Sequence, residues 1–196
     1  MSGGATHVPL TVRTIAGGGI GGFGAQHSQS TEALLLHTPG LKIVYPSTPT
    51  EAKGLLLSCI FDEDPCIQFE SMMLTYALRE EVPLGDYRIP LGVAKVKREG
   101  TDITLITYGW QVMHCLAAAE ELAKEGISVE VIDLRTLLPL DYDRILTSVE
   151  KTGRALVVHA ATEFCGLGSE IASTIDEALF TKLKAPASRF GAAYAP

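Results

Sequence analysis

His27 stands in the run Gln26-His27-Ser28-Gln29-Ser30, directly after a glycine-rich stretch from Gly17 to Gly24. An imidazole titrates near neutral pH, so it can give or take a proton under ordinary conditions. The run falls between an expected strand and an expected helix, and loops at strand ends in α/β sheets are where ligands bind. The same residues also suit a plain helix start, with Ser28 or Ser30 as cap and His27 merely exposed. The residues alone leave both readings open. The glycine stretch spells GxGxxG through Gly19, Gly21 and Gly24. A dinucleotide-binding loop of that kind needs an acid at the end of the next strand to hold a ribose. That strand ends Tyr45-Pro46-Ser47, without an acid. A loop whose backbone must approach something closely is the better reading, with an NAD-binding oxidoreductase as the alternative.

Three other clusters could do chemistry. Cys59 to Asp64 carries Asp62, Glu63 and Asp64 at the expected end of a helix. Acids oppose the dipole there, so a hard cation held by oxygens could compensate; a solvated acidic turn is the plainer reading. Asp133 and Arg135 follow an apolar strand, and an ion pair between them that fixes the loop is expected. His159 and Cys165 could form a nucleophile pair, but no third orienting residue stands near them in sequence.

The elements that must hold these residues alternate. Strands are expected over 8–14, 41–45 and 65–70, with helices over 30–37 and 48–61 between them. The second helix has the strongest start: Thr48 as N-cap, Pro49 at the first position and Glu51 to complete a capping box. Residues 71–100, with Pro83, Gly85, Pro90 and Gly92, read as a linker ending in a strand over 93–98. A second run follows, with strands at 103–107, 127–132, 155–159 and 187–190. Its helices are expected at 111–124, 142–151 and 168–183, and Asp141 caps the middle one. Alternation of this kind predicts an α/β protein with two doubly wound, mostly parallel sheets. The boundaries are 1–78, a linker over 79–100, and 101–196.

The 196 residues are 46% hydrophobic, enough for real cores, and the formal charge of −7 argues against a nucleic-acid binder. The four cysteines show no CxxC pair, which suits reduced thiols. From Met1 onward no basic-then-apolar leader opens the chain, and no stretch is long enough to span a bilayer. A cytoplasmic protein away from membranes is therefore expected. Both ends look cut: the first strand lacks an earlier covering helix, and the chain stops after a short last strand.

Taken together, several segments resemble one family. They are Val8-Pro-Leu-Thr-Val-Arg13, the glycine loop, Gln26 to Ser30, Pro39-Gly-Leu-Lys-Ile-Val-Tyr-Pro46 and Ala52 to Leu57. Glu130-Val-Ile-Asp-Leu-Arg-Thr136 and Cys165-Gly-Leu-Gly-Ser-Glu170 complete the set. In this order they are similar to the β subunit of the E1 component of 2-oxo acid dehydrogenases. Ser58-Cys59-Ile60, Pro65-Cys66-Ile67 and Glu80-Glu-Val-Pro83 lean toward the branched-chain members, with pyruvate or acetoin dehydrogenase subunits as the alternatives.

The resemblance implies a transketolase-like architecture, with the later part of a pyrimidine-binding domain followed by a transketolase C-terminal domain. It implies an α2β2 heterotetramer with an E1 α subunit and a second β subunit, serving a lipoyl-E2 core. It implies thiamine diphosphate, its diphosphate and Mg2+ held by α and its aminopyrimidine by β. The reaction would be oxidative decarboxylation of a 2-oxo acid and acyl transfer to lipoamide. His27 matches the family's active-site histidine. Val8, Leu10, Thr11, Cys59, Asp62 and Asp64 match a structural potassium site, with Asp64 where asparagine is usual. The resemblance sets the glutamate that activates the aminopyrimidine upstream of Met1, so it assigns no cofactor-binding residue within these 196 positions. The chain alone is therefore expected to be inactive, and a non-catalytic subunit-pairing module is the alternative. In a eukaryote the expected location would be the mitochondrial matrix.

Overall fold

The computed structural model describes residues 3–17 and 24–195. The first stretch carries β1 (Thr11–Ala16), α1 (Gly24–His27), α2 (Glu32–Leu36), β2 (Lys42–Val44), α3 (Pro49–Ile60), β3 (Cys66–Ser71) and α4 (Met72–Ala77). The second carries β4 (Lys95–Arg98), β5 (Ile103–Thr107), α5 (Gln111–Lys124), β6 (Val129–Asp133), β7 (Thr136–Leu138), α6 (Tyr142–Thr152), β8 (Ala155–Thr162), α7 (Leu167–Leu179) and β9 (Ser188–Ala192). Among the described residues, no helix is long and apolar enough to cross a membrane.

Two sheets form, in the orders β1-β3-β2-β7 and β4-β6-β5-β8-β9. β1, β3 and β2 run parallel, as do β6, β5, β8 and β9, while β7 and β4 each add one antiparallel edge. The expected mostly parallel α/β architecture is therefore present. Side chains alternate across each strand, so neighbouring residues serve different cores. Leu105 and Val131 pack with Cys115 and Ala119 of α5. Ile106 and Ile132 face the other way, with Ile145 and Val149 of α6 and Ile171 and Ile175 of α7. That second core is continuous with Ile43, Tyr45 and Phe69 of the first sheet.

Three elements differ from expectation, the first being the one-turn helix α1, where a loop was expected. Thr136–Leu138, expected as loop, is β7, which crosses from the second stretch to pair with β2. Leu137 on it is fully buried in the shared core. Met72–Ala77, expected as linker, is the short helix α4, which buries none of its residues and has no side-chain cap. Such a helix carries no periodic signal to read.

The expected linker is not slack. Glu80 accepts a hydrogen bond from the backbone N–H of Thr50 at 2.5 Å, and Lys53 donates to the Pro83 carbonyl at 2.6 Å. Tyr87 donates to the Thr50 carbonyl at 2.8 Å, and Ser58 to that of Ile89 at 2.6 Å. The strap thus lies along α3. A Cβ at Gly54 would stand 2.7 Å from the Ile89 side chain and 2.9 Å from Tyr87, so that glycine permits the close approach.

Candidate active-site edge and its buried supports

His27 ends α1, beyond the C-terminal edge of the parallel strands. The backbone N–H of Gly17, which follows β1, donates to the Gln29 carbonyl at 3.0 Å and holds the segment against that edge. The His27 side chain is exposed. The sequence predicts a loop at a strand end; the histidine instead closes the one-turn helix α1 that lies there. Residues 18–23, which carry most of the GxGxxG pattern, lie outside the described residues. So does Met1, before which the resemblance sets the activating glutamate.

The helix after it starts differently from expectation. Thr31 is the N-cap of α2 and gives no side-chain cap; the Ser30 hydroxyl instead donates to Glu32 Oε2 at 2.6 Å. Glu32 is fully buried, and its other oxygen accepts from the Tyr108 hydroxyl at 2.8 Å. Both of its oxygens are thus engaged inside the protein, and Glu32 does not stand in for the glutamate expected upstream of Met1. Tyr108 follows β5 and packs between Tyr45, at 5.4 Å between ring centroids, and His159, stacked at 6.3 Å. Burial, then the Glu32 carboxylate, pushes the Tyr108 hydroxyl well above its ordinary value. Tyr45 donates to the Ala16 carbonyl at 3.3 Å and also meets the Ser30 hydroxyl. Sequence reasoning missed Glu32 and Tyr108. The one available signal was an acid inside the apolar run Glu32-Ala-Leu-Leu-Leu36.

A groove of about 840 Å3 opens beside this segment, between α2, the stretch 137–142 and the start of α7. Its walls include Leu34, Leu138, Tyr142, Phe164 and Tyr194. Glu170 also lines it, and no lysine or arginine does. Among the described residues this wall offers a diphosphate only His37 and the N-terminal turn of α7, with no lysine or arginine to balance its charge.

The capping of α3 is half as expected. Thr48 Oγ1 accepts from the Glu51 N–H at 3.2 Å, but the Glu51 carboxylate does not close the box. It turns to Ser47 Oγ, at 2.8 Å, and to Lys97 Nζ, at 2.8 Å. Ser47 Oγ also lies 2.5 Å from Asp133 Oδ2, and Lys97 Nζ 3.5 Å from the same atom. This knot joins α3 to β4 and β6. Burial opposes charge on Glu51, yet Lys97, Ser47 and Arg135 together hold its carboxyl below the ordinary value. Burial and the neighbouring Glu51 push Asp133 up to about 7.

The expected Asp133–Arg135 ion pair is not what forms. Asp133 Oδ1 accepts the backbone N–H of Arg135 at 3.1 Å, and the Arg135 guanidinium donates to the Val93 carbonyl at 2.6 and 3.1 Å. Arg135 has φ 58°, a left-handed backbone that points its side chain away from Asp133 and toward Val93. His159 and Cys165 do not make a working pair: Cys165 is exposed, while His159 is buried with Nδ1 on the Ala161 carbonyl. Asp141 caps α6 as expected, accepting from Arg144 N at 3.0 Å, and its second oxygen accepts from Ala94 N at 2.8 Å.

Val8, Leu10 and Thr11 run beside the acidic turn: the Val8 N–H donates to the Glu63 carbonyl, and the Cys66 N–H to that of Leu10. Cys59 is buried at the end of α3, and its carbonyl accepts the N–H of Asp62. The cation that the acids call for is supplied by the chain. Lys42 Nζ is 2.8 Å from both Asp62 oxygens and 3.0 Å from Asp64 Oδ2. Partial burial works to raise the Asp62 carboxyl, but the Lys42 ammonium and nearby N–H groups hold it below its ordinary value.

Two α/β sheets sharing one core, with a histidine at the C-terminal edge of the first, define a transketolase-like fold. Residues 1–76 match the family described as "Transketolase, pyrimidine binding domain", and residues 92–196 match "Transketolase, C-terminal domain". The chain belongs to the transketolase family and carries both of these domains. It is 49% identical over 191 residues to the "Pyruvate dehydrogenase E1 component subunit beta" of Staphylococcus epidermidis, covering 97% of this chain and 58% of that one. The Bacillus subtilis protein of the same name is 49% identical over 191 residues, with the same coverage. These are the E1 β proteins that the motifs resemble. A solved structure titled "Split gene transketolase, inactive beta4 tetramer" superposes with TM-score 0.77 at 23% identity, over 95% of this chain and 58% of that one. At that identity the likeness speaks for the fold. The chain spans 58% of the length of these curated relatives.

Proposed function

We propose that this chain acts as part of the β subunit of a thiamine-diphosphate-dependent 2-oxo acid dehydrogenase E1. The observation that carries this is His27, exposed at the C-terminal edge of β1, β3 and β2. There its imidazole would meet a cofactor and a lipoyl group brought by other chains. Thiamine diphosphate, when bound, supplies the nucleophilic carbon that attacks the 2-oxo group. His27 would hold or pass a proton while the acyl group leaves for lipoamide. The groove's apolar wall suits the aminopyrimidine, and the absence of lysine and arginine from its described lining suits a diphosphate and Mg2+ held by an E1 α subunit.

The partners proposed are that α subunit, a second β subunit and the lipoyl-E2 core, in the cytoplasm or the mitochondrial matrix. Between pyruvate and branched-chain 2-oxo acids, the curated relatives bear the former name. The Cys59 and Cys66 motifs lean to the latter, but both thiols lie in a core rather than at the groove and cannot read a substrate. In an E1 complex whose β subunit contains these residues, His27→Ala should cut lipoyl acylation by about 10²–10⁴-fold. Decarboxylation to an artificial electron acceptor should fall less. Unimpaired lipoyl acylation would overturn the role. Running pyruvate and 3-methyl-2-oxobutanoate side by side decides the substrate. The 196-residue chain alone, with thiamine diphosphate and Mg2+, should release no CO2 from either acid.

For the potassium site, the proposal is Val8, Leu10, Thr11, Cys59, Asp62 and Asp64, mostly through backbone oxygens. These residues fit the ion only when Lys42 turns away, because its ammonium occupies both carboxylates. A second reading, a subunit-pairing module without catalysis, draws on the exposure of Leu34 (75%), Phe164 (65%) and Tyr194 (82%) along the groove. Apolar surface of this kind drives association. A clean monomer by light scattering would count against it.

A further inference from the structure

Glu32 is fully buried, yet among the described residues no lysine, arginine or histidine pairs with it. Taking a carboxylate out of water without a counter-charge costs stability, and an apolar side chain of similar size would pack at lower cost. What the carboxylate provides is geometry. One oxygen holds the Ser30 hydroxyl at 2.6 Å, in the segment that carries His27. The other holds the Tyr108 hydroxyl at 2.8 Å, at the end of β5 in the second sheet.

Ser30 also meets Tyr45, whose hydroxyl reaches the Ala16 carbonyl at the end of β1. Tyr108 cannot yield, since it is buried and packed between Tyr45 and His159. The segment after His27 is therefore tied to both sheets through one carboxylate, while His27 itself is exposed.

We propose that Glu32 is a positioning residue: through Ser30 and Tyr108 it fixes where the His27 imidazole stands relative to the second domain. The proposal rests on reading His27 as the acyl-transfer histidine. It adds that the distance between His27 and the second sheet is set by this bridge and not by the exposed loop.

The test uses the 196-residue chain and the ring C–H resonances of its histidines by NMR. Glu32→Ala removes both hydrogen bonds. The His27 cross-peak should move or double, while that of His7, which precedes β1 at its opposite end, stays in place. Glu32→Gln keeps an acceptor for Tyr108 and offers a donor to Ser30, whose hydroxyl can give or accept. It should restore the wild-type His27 position, which a role limited to filling space would not require of Gln over Ala.

If Glu32→Ala does not fold, Tyr108→Phe removes one donor and keeps the ring. It should move the His27 peak in the same direction by a smaller amount. A folded Glu32→Ala or Tyr108→Phe protein with His27 at its wild-type position would overturn the proposal. So would a Glu32→Gln protein displaced as far as Glu32→Ala. The readout does not depend on turnover, so it can fail while the His27→Ala acylation result stands, and the reverse.

Discussion

Replacing Lys97 by methionine strands two buried carboxylates. Lys97 Nζ lies 2.8 Å from Glu51 Oε1 and 3.5 Å from Asp133 Oδ2, and all three side chains are largely withdrawn from water. At an effective dielectric near 20, the gross attractions are about 6 and about 5 kcal/mol. Desolvation of the three charges offsets most of that. Arg135 also favours the charged form of Glu51, so some positive potential survives the substitution. Removing one partner of a buried pair costs about 3–5 kcal/mol, and the lower half of that range is expected here.

The pH dependence carries the sharper test. Asp133 is raised to about 7 in the folded chain by burial and Glu51, against an ordinary value of 3.8. The folded state therefore binds more protons than the unfolded state between these limits, and stability falls as pH rises through them. Glu51 is lowered, so its contribution is present above its ordinary value of 4.5 and is lost as pH falls below that. At pH 5.5 Asp133 is protonated in the folded state, and Lys97→Met strands one charge. At pH 8 Asp133 is ionised in the parent chain, and because Lys97 is one of the groups that keep it so, the substitution either strands a second charge or forces that carboxyl to take up a proton.

Urea unfolding followed by circular dichroism should give a loss of about 3 kcal/mol at pH 8, and at least about 1 kcal/mol less at pH 5.5. Adding Asp133→Asn should recover part of the loss at pH 8. A penalty below about 1 kcal/mol at pH 8, or one equal at both pH values, would refute the reasoning.

Two further outcomes concern other sites. Lys42→Gln should cost only about 0.5–1 kcal/mol at low salt, because the Lys42, Asp62 and Asp64 side chains keep contact with water. It should also make the thermal midpoint rise more in KCl than in NaCl; equal responses to the two salts would remove the support for a potassium site. Gly168→Ala puts a Cβ 2.6 Å from His159 Nε2, in a ring pocket already closed by Gly166 and Gly191. Overpacking there should cost about 2–3 kcal/mol by denaturant unfolding, and His159→Ala in the same chain should relieve it; an unchanged midpoint in the single variant would show that the ring has room to move.

Much of the fold is legible in the sequence because its signals are local. Apolar runs in β5, β6 and β8, the Thr48 cap with Pro49, and Asp141 before α6 all form as expected. The failures share a cause. The three residues of β7 and the uncapped α4 are too short to show a period, and β7 exists because β2 offers it an open edge. Glu51 fits a capping box by spacing, yet a lysine 46 positions away claims its carboxylate. Asp133 and Arg135 look like partners by proximity in sequence, but the left-handed turn at Arg135 sends its guanidinium to Val93. The acidic turn after α3 calls for a cation or water, and the cation is Lys42, 20 positions earlier than Asp62.

The sequence by itself determined the alternation of strands and helices, the likeness to one family and the place of His27 after the first strand. Those follow from periodicity, capping chemistry and motif order, all of which act within a few residues. Only the tertiary structure decided that Glu32 meets a tyrosine 76 positions away, that Lys97 closes a knot between α3 and β6, and that one core runs through both sheets. A carboxylate carries no local mark of the donor it will find, since that donor arrives through packing of distant strands.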